Sequence, residues 1–154
     1  MPVLEINAIS KSYGKIRALD NVSFNIPKGS VFGLLGPNGS GKTTLLSIVL
    51  DVLQANSGVY KWFGESPTYL HRKKIGSLLE TPNLYHYLTA VQNLRITQTI
   101  SGRGNEGDIH AVLEKVNLHE RKNSRFSTYS LGMKQRLAIA AALLGDPAVL
   151  VLMT

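Results

Sequence analysis

The sequence predicts an α/β fold: a mixed sheet that begins with an antiparallel β layer and carries an inserted α-helical subdomain. Apolar and polar residues alternate across residues 3–24, as they do in half-buried antiparallel strands. Short, continuous apolar runs predict a buried strand at residues 31–35 and a second apolar strand at 75–79. The run at 148–152 is typical of a strand in a parallel sheet, buried on both faces. Between about residues 82 and 144 the apolar residues recur at helical spacing instead.

Length and composition indicate a single globular domain. The chain has 154 residues, of which 44% are hydrophobic and 18% are charged, and this is enough apolar material for one core. We expect residues 1–154 to form one domain. Its core would consist of residues 1–80 and 145–154, and its helical subdomain of about residues 82–144.

Charge and cysteine content exclude several classes of protein. Cysteine is absent, which excludes disulfides and thiolate metal sites. The formal net charge is +7, but the densest basic groups, at residues 72–74 and 121–125, lack interleaved aromatic residues for base stacking. We therefore expect a solvated basic face and no nucleic-acid partner. The most apolar stretch, residues 137–153, is interrupted by Gly145-Asp146-Pro147, so we expect no membrane-spanning segment and a cytoplasmic location.

The first half of the chain is expected to alternate strands with turns and one long helix. A turn at Tyr13-Gly14-Lys15 divides the antiparallel layer, and a second turn at residues 26–29 leads into the buried strand at 31–35. Apolar residues at helical spacing then predict a helix that ends near Leu53. A return strand at residues 59–64 follows.

The second half of the chain is expected to be mainly helical. Thr89 begins a capping-box pattern that predicts a helix over residues 90–100, and Asp108 can cap a second helix. Ser130 is the predicted N-cap of a third helix that runs to Leu144. Because that helix is apolar around nearly its whole circumference, we expect it to be deeply buried.

A glycine-rich segment between the strand at 31–35 and the following helix fits the phosphate-loop pattern G-x-x-x-x-G-K-[ST]. Small residues let consecutive backbone N–H groups curl around an anion, and the start of a helix adds the positive end of its dipole. In this pattern Lys42 reaches the terminal phosphates, and the Thr43 hydroxyl takes one Mg²⁺ position. The alternative is a glycine-rich turn with an incidental lysine. The predicted nucleotide-binding residues are Gly36, Pro37, Asn38, Gly39, Ser40, Gly41, Lys42, Thr43 and Thr44.

A second segment, Tyr-Ser-Leu-Gly-Met-Lys-Gln-Arg at residues 129–136, leads directly into the third helix. It resembles the signature motif of ABC-type ATPases, Leu-Ser-Gly-Gly-Gln followed by Gln-Arg, in which Ser130, Gly132 and the pair Gln135-Arg136 match. Three positions depart from the motif: Tyr129, Leu131 and Met133. A hydroxyl and bare N–H groups at a helix N-terminus form an anion site, and in this family that site contacts the γ-phosphate of ATP held by the partner subunit. Taken alone, the segment could also be an ordinary serine-capped core helix.

The resemblance covers essentially the whole chain to Leu152 and implies further site residues. Tyr13 falls where the family places an aromatic residue that stacks on adenine, although packing within a strand is the alternative. Glu80 falls where most members have a glutamine that touches Mg²⁺ and water. A carboxylate there ligates Mg²⁺ more strongly than an amide, which makes Glu80 a metal and catalytic candidate, with an exposed strand-end carboxylate as the alternative. An acidic residue followed by proline and an aromatic residue is similar to the bacitracin- and lantibiotic-type exporters.

The same resemblance implies an obstacle to catalysis. In the family, the strand after Asp146-Pro147 ends in an aspartate that orients Mg²⁺ and a glutamate that polarises the attacking water, whereas Met153 and Thr154 stand at these positions here. A thioether and a hydroxyl cannot replace two carboxylates in this chemistry. The sequence also has no counterpart of the family's switch histidine and last core strands. We interpret the chain as a phosphate-loop NTPase core whose C-terminal part is missing, and we expect weak ATP binding, little hydrolysis and poor solubility.

The predicted function is that of the ATP-binding subunit of an ABC transporter, with ATP and Mg²⁺ as its cofactors. It would couple ATP binding and hydrolysis to export of a small molecule or peptide. The expected partners are a polytopic membrane subunit that docks at residues 80–87, on the inner face of the cell membrane, and a second ATP-binding subunit in the full-length form. Two alternatives stay open. One is a non-catalytic ATP-binding or regulatory module, which the missing carboxylates favour, and the other is a soluble kinase or GTPase with a phosphate loop.

Overall fold

The computed structural model describes residues 1–79 and 83–153, and its elements confirm the predicted mixed α/β class. The elements in chain order are β1 (Pro2–Tyr13), β2 (Ile16–Pro27), α1 (Lys42–Val49), β3 (Ser57–Trp62), α2 (Tyr69–Arg72), β4 (Ile75–Leu78), α3 (Ala90–Ser101), α4 (Glu106–Lys115), α5 (Leu131–Leu143) and β5 (Val149–Leu152). Short 3₁₀ turns lie at His119–Arg121 and Phe126–Thr128. The chain divides into two compact units, Met1–His71 and Arg72–Thr154. The predicted division into a core and an inserted helical subdomain stays a prediction.

The first unit is built on an antiparallel sheet with the strand order β2–β1–β3. The β1–β2 hairpin closes at the pair Tyr13–Ile16, so the alternation predicted for residues 3–24 is confirmed. Helix α1 contacts β2, and the indole N–H of Trp62 at the end of β3 donates to the Val49 carbonyl oxygen at 2.7 Å. The buried side chains of this unit are Leu4, Ile6, Ile9, Leu19, Leu45, Ile48, Val49 and Trp62, with His71 as a buried polar residue.

The buried strand predicted at residues 31–35 is wrong. The run belongs to no strand of the described residues, and Val31 and Leu35 are almost fully exposed, at 104% and 93%. Phe32 is partly covered because its ring stacks on that of Phe24 in β2, with 5.2 Å between the centroids. An apolar run becomes a strand only where neighbouring strands pair with its N–H and C=O groups, and nothing in the described part of the chain supplies such a ladder.

The second unit joins a parallel strand pair to a helical core. Strands β4 and β5 pair in parallel from Ile75–Val149 to Leu78–Leu152, so both predicted strands are confirmed. β5 is not buried on both faces, however, since Leu150 and Leu152 are 38% and 47% exposed. Helix α5 packs on β4, and a Cβ at Gly76 would collide with the carbonyl oxygen of Ala142. No residue of 137–144 is exposed, as expected for this helix. The apolar cluster shared by α3, α4 and α5 contains Ala90, Val91, Leu94, Ile109, Val112, Leu113, Leu118, Phe126, Tyr129, Leu137, Ala140 and Leu144.

Two of the three predicted helix caps are confirmed. Thr89 forms a capping box with Gln92 at the start of α3, and Ser130 caps α5. Helix α4 instead begins earlier than predicted, because Asn105 is its N-cap and Asp108 is the third residue of the same capping box. Helix α1 ends at Val49, earlier than the predicted end near Leu53. None of the helices in the described ranges has both the length and the apolar character needed to cross a membrane.

Candidate functional site

The phosphate loop, residues 36–44, runs from an exposed turn into the first turn of α1. The Ser40 N–H donates to the Pro37 carbonyl oxygen at 3.2 Å and closes the turn, and the Leu45 N–H donates to the Gly41 carbonyl oxygen at 2.9 Å and opens the helix. The N-cap of α1 is Gly41, so no cap side chain covers the first N–H groups of the helix. These groups and the helix dipole favour an anion at this end of α1.

Both conformation and space require a glycine at position 41. Its φ of 96° lies in the left-handed region that favours glycine. A Cβ would also lie 2.5 Å from the Ala18 carbonyl oxygen and 2.9 Å from Leu19 Cδ2. The backbone of Gly41 therefore packs directly on β2, and this close approach fixes the loop against the hairpin.

Lys42 folds back over the loop that precedes it. Its Nζ donates to the carbonyl oxygens of Gly36 and Pro37, the second at 2.9 Å, and lies 3.4 Å from Ser40 Oγ. The ammonium group is thereby held inside the curve of the loop, where it would meet the phosphates of a nucleotide.

Thr43 follows Lys42 in the first turn of α1 and is partly buried. Its hydroxyl oxygen is a hard ligand of the kind that Mg²⁺ prefers, and Mg²⁺ usually completes its shell with phosphate oxygens and water. The described residues contain no group of three or more His, Cys, Asp or Glu side chains that could hold a metal. The Thr43 hydroxyl fits a magnesium ion that takes its other ligands from phosphate oxygens and water.

Tyr13 lies at the closed end of the β1–β2 hairpin and is 48% exposed. Lys11, two residues earlier in β1, pairs across the hairpin with Leu19, and Leu19 is the side chain that meets Gly41. The pairing of β1 with β2 shifts register between Lys11 and Ser12, so simple alternation does not assign Tyr13 to one face of the hairpin. The closed end of the hairpin lies close to the phosphate loop along β1, and the stacking role of Tyr13 stays a prediction.

The second predicted segment forms an exposed helix start. Ser130 is the N-cap of α5, and its Oγ accepts a hydrogen bond from the Met133 N–H at 3.2 Å. Leu131 is 74% exposed, and a Cβ at Gly132 would meet no atom within 4 Å. The first turn of α5 therefore presents a serine and a glycine at the surface of the second unit, with room for an approaching anion.

Tyr129 and Arg136 hold this helix start in place. Tyr129 is only 5% exposed, and its hydroxyl donates to the Arg121 carbonyl oxygen at 2.5 Å. Burial raises the pKa of the Tyr129 hydroxyl, and the nearby Arg121 guanidinium opposes this only in part. Arg136 Nη1 donates to the Val116 carbonyl oxygen at 3.0 Å, just after α4. The tyrosine that departs from the family motif is therefore a packing residue.

Asn93 carries no motif, and its role was not predicted from the sequence. It lies on α3 with 1% of its surface exposed. Its Oδ1 accepts from the Tyr85 N–H at 2.7 Å, and its Nδ2 donates to the carbonyl oxygens of Tyr85 and Thr89, both at 3.1 Å. Asn93 thus fixes the turn that presents Tyr85 and Tyr87, which are 45% and 69% exposed. The sequence signal that could have revealed this role is a polar residue placed between the apolar residues of a buried helical face.

Other predicted positions are only partly described. Glu80 and Thr154 lie outside the described residues, so the metal and catalytic role of Glu80 stays a prediction. Met153 follows β5, and its N–H donates to the Leu78 carbonyl oxygen at 2.8 Å. The backbone therefore continues the strand ladder to Met153, the position that resembles the metal-orienting aspartate.

Tyr13 and the phosphate loop belong to the first unit, whereas Ser130 and Gly132 belong to the second.

Comparisons with known proteins agree with this arrangement. The chain is 39% identical to the bacitracin transport ATP-binding protein BcrA of Enterococcus faecalis, and the match covers 97% of the chain and 50% of that relative. It is 41% identical to the lantibiotic transport ATP-binding protein SrtF of Streptococcus pyogenes, over 97% of the chain and 65% of the relative. The chain therefore spans between half and two thirds of the length of these relatives.

Solved structures give the same result. A nucleotide-free ATP-binding cassette from an ABC transporter superposes with a TM-score of 0.84 at 26% identity, over 99% of this chain and 68% of that one. A dimeric cassette in a post-hydrolysis state, bound to ADP and Pi, gives a TM-score of 0.85 at 28% identity, over 97% of this chain and 72% of that one. The family model for ABC transporters matches residues 19–152, a range that includes both the phosphate loop and the start of α5. Since this match covers most of the chain, the chain belongs to the ABC transporter family.

Proposed function

We propose that the chain is the ATP-binding part of an ABC exporter and that it binds ATP with Mg²⁺ at the phosphate loop. The observation that carries the proposal is the loop itself. Gly41 leaves the start of α1 uncovered, and the Lys42 ammonium lies within the curve of residues 36–40. Backbone N–H groups, a helix dipole and one lysine together form the anion site that a triphosphate requires.

The remaining residues have roles that follow from their chemistry. Lys42 would exchange its carbonyl partners for phosphate oxygens, and the Thr43 hydroxyl would bind Mg²⁺. Tyr13 would stack on the base. Ser130 and Gly132 would bind the γ-phosphate of a nucleotide held by a second copy, because a capped helix start with exposed N–H groups favours an anion.

The test of ATP binding is a titration of the wild-type chain and of Lys42→Ala. We expect Lys42→Ala to weaken ATP binding about tenfold or more, because hydrogen bonds from a charged donor contribute about 1.5–3 kcal/mol. Lys28→Ala removes an exposed lysine of the same unit and is the matched control, for which we expect little change. Equal affinities for the wild-type chain and Lys42→Ala would contradict the proposal.

We further propose that ATP turnover by this chain is far below the rates of about 1–100 s⁻¹ that are typical of phosphoryl-transfer enzymes such as kinases. Met153 stands at the position that resembles the metal-orienting aspartate, and its thioether sulfur is a poor ligand for a hard cation. Phosphate release by the wild-type chain is the measurement. Turnover at ordinary rates that is lost in Lys42→Ala would show that the chain is a competent ATPase.

Transport is the second part of the proposal. The names of the two relatives describe bacitracin and lantibiotic transport, and they support export of a peptide-like or other small molecule through a separate membrane subunit. The Asn93-anchored turn with Tyr85 and Tyr87 is the surface that would meet this subunit. Copurification with a polytopic membrane protein from the same genome is the test. A non-catalytic ATP-binding module, which Met153 also favours, would bind ATP without such a partner.

A further inference from the structure

One cation lies against the exposed aromatic ring of the hairpin. The Nζ of Lys11 is 5.5 Å from the centroid of the Tyr13 ring, within the distance of about 6 Å at which an ammonium group and an aromatic face attract each other. Lys11 is partly buried and Tyr13 is 48% exposed. The lysine therefore covers one face of the ring, and the rest of the ring remains open to solvent.

The hairpin register places this pair beside the phosphate loop. Lys11 pairs with Leu19, which is 5% exposed and meets the backbone of Gly41. Tyr13 lies two residues further along β1, or about 7 Å at the usual rise per strand residue. The end of the hairpin that carries the ring therefore lies close to the loop along β1.

We infer that Lys11 is a positioning residue for the base of a bound nucleoside triphosphate. Lys11 closes one face of the Tyr13 ring, so the base stacks on the opposite face. This inference rests on the proposed function, since it requires a nucleotide whose phosphates occupy the loop. The ammonium group draws electron density from the ring and favours an electron-rich purine on the other face. It also holds the ring in one orientation, which lowers the cost of ordering it when the base binds.

The test is a set of titrations of the full chain with ATP and with inorganic tripolyphosphate, which has the phosphates but no base. Without the lysine the Tyr13 ring must be ordered when the base binds, and we therefore expect Lys11→Ala to weaken ATP binding about two- to tenfold. We expect tripolyphosphate binding to stay unchanged in Lys11→Ala. Lys11→Arg keeps a cation over the ring and should restore the affinity for ATP.

Two further variants separate this role from general attraction between charges. Lys15→Ala removes an exposed cation from the same hairpin turn and should leave ATP binding unchanged. Tyr13→Ala should weaken ATP binding about five- to a hundredfold by loss of base stacking. In that background, Lys11→Ala should have no further effect. Thermal unfolding of each variant confirms that the hairpin remains folded.

Each outcome decides between the two proposals. The inference is overturned if Lys11→Ala weakens ATP and tripolyphosphate equally, if it acts undiminished in the Tyr13→Ala background, or if it has no effect. A wild-type chain that binds neither ligand overturns the proposed function, and the inference with it. If the wild-type chain binds ATP and tripolyphosphate, and neither affinity changes in any Lys11 variant, the proposed function stands and only the inference is lost.

Discussion

Gly41 is the residue of the phosphate loop with the strictest steric requirement. We expect Gly41→Ala to destabilise the chain by about 1–3 kcal/mol, the usual cost of a strained backbone conformation, and to weaken ATP binding because the loop must move away from β2. A Cβ at this position would lie 2.5 Å from the Ala18 carbonyl oxygen. Chemical denaturation and an ATP titration are the measurements.

Gly33→Ala is the matched control for this prediction. Gly33 also precedes α1, but a Cβ there would meet nothing within 4 Å, and its φ is not in the left-handed region. We expect a change of less than about 0.5 kcal/mol, as for most exposed substitutions. Equal costs at positions 33 and 41 would mean that the contact with β2 does not constrain the loop.

The pattern of the phosphate loop can be read from consecutive residues because its turn and helix start are local: the Ser40 N–H donates to the Pro37 carbonyl oxygen and the Leu45 N–H to that of Gly41. The close packing of Gly41 on Ala18 of β2 could not be read in this way. The nucleotide-binding roles of the loop residues stay predictions. The partners of Asn93 and Tyr129 could not be predicted in the same way. The hydroxyl of Tyr129 binds the Arg121 carbonyl oxygen eight residues away, and only the packing of a 3₁₀ turn against the start of α5 brings these groups together.

At the level of single elements, Asn93 connects α3 to the turn that precedes it. We expect Asn93→Leu to cost about 1–3 kcal/mol, because the buried N–H and carbonyl groups of Tyr85 would lose their partners. We also expect faster hydrogen exchange of the Tyr85 amide. Denaturation measures the first effect and amide exchange measures the second.

Thr97→Val gives the control for Asn93→Leu. The Thr97 hydroxyl, one turn further along α3, donates only to the Asn93 carbonyl oxygen within its own helix, at 3.2 Å. Such a bond adds little to a helix whose backbone groups are already paired, so we expect a smaller cost and no change at Tyr85. If the hydrogen of the Tyr85 amide exchanges at the wild-type rate in both variants, Asn93 does not hold the turn that contains Tyr85.

Strand predictions were reliable only where the partner strands lie within the described chain. β4 and β5 were predicted from apolar runs, and each pairs with the other. The run at 31–35 is also mainly apolar but forms no ladder, because composition reports burial tendency and not the presence of a neighbouring strand. The start of a helix is hard to predict where several nearby residues could cap it. The N-cap of α4 is Asn105, and Asp108 is the third residue of the same capping box.

At the level of the whole molecule, burial of Tyr129 makes the free energy of unfolding depend on pH in the alkaline range. Because burial raises the pKa of Tyr129 above its ordinary value of 10.0, the folded chain holds this proton more tightly than the unfolded chain does. Its contribution to the free energy of unfolding is complete below about pH 10 and is lost as the pH rises through the folded pKa. For one proton the slope cannot exceed about 1.4 kcal/mol per pH unit.

Tyr129→Phe tests this pH dependence. We expect it to lower the free energy of unfolding at neutral pH by about 0.5–1.5 kcal/mol, through loss of the hydrogen bond to Arg121, and to flatten the decline above pH 10. Tyr87→Phe, at a tyrosine that is 69% exposed, should leave the decline as it is. If the free energy of unfolding of Tyr129→Phe declines above pH 10 as steeply as that of the wild-type chain, groups other than Tyr129 cause the decline.

The bonds of Lys42 to the carbonyl oxygens of Gly36 and Pro37 make anion capture a replacement reaction. The ammonium group must release two neutral acceptors before it can bind phosphate oxygens, so the measured affinity is a difference between two sets of hydrogen bonds. An anion that offers one oxygen gains little from this replacement, whereas a triphosphate gains at several oxygens at once. The loop would therefore rank anions by the number of acceptors they offer, and the two carbonyl oxygens would compete with a monovalent anion for the lysine and keep it from occupying the loop.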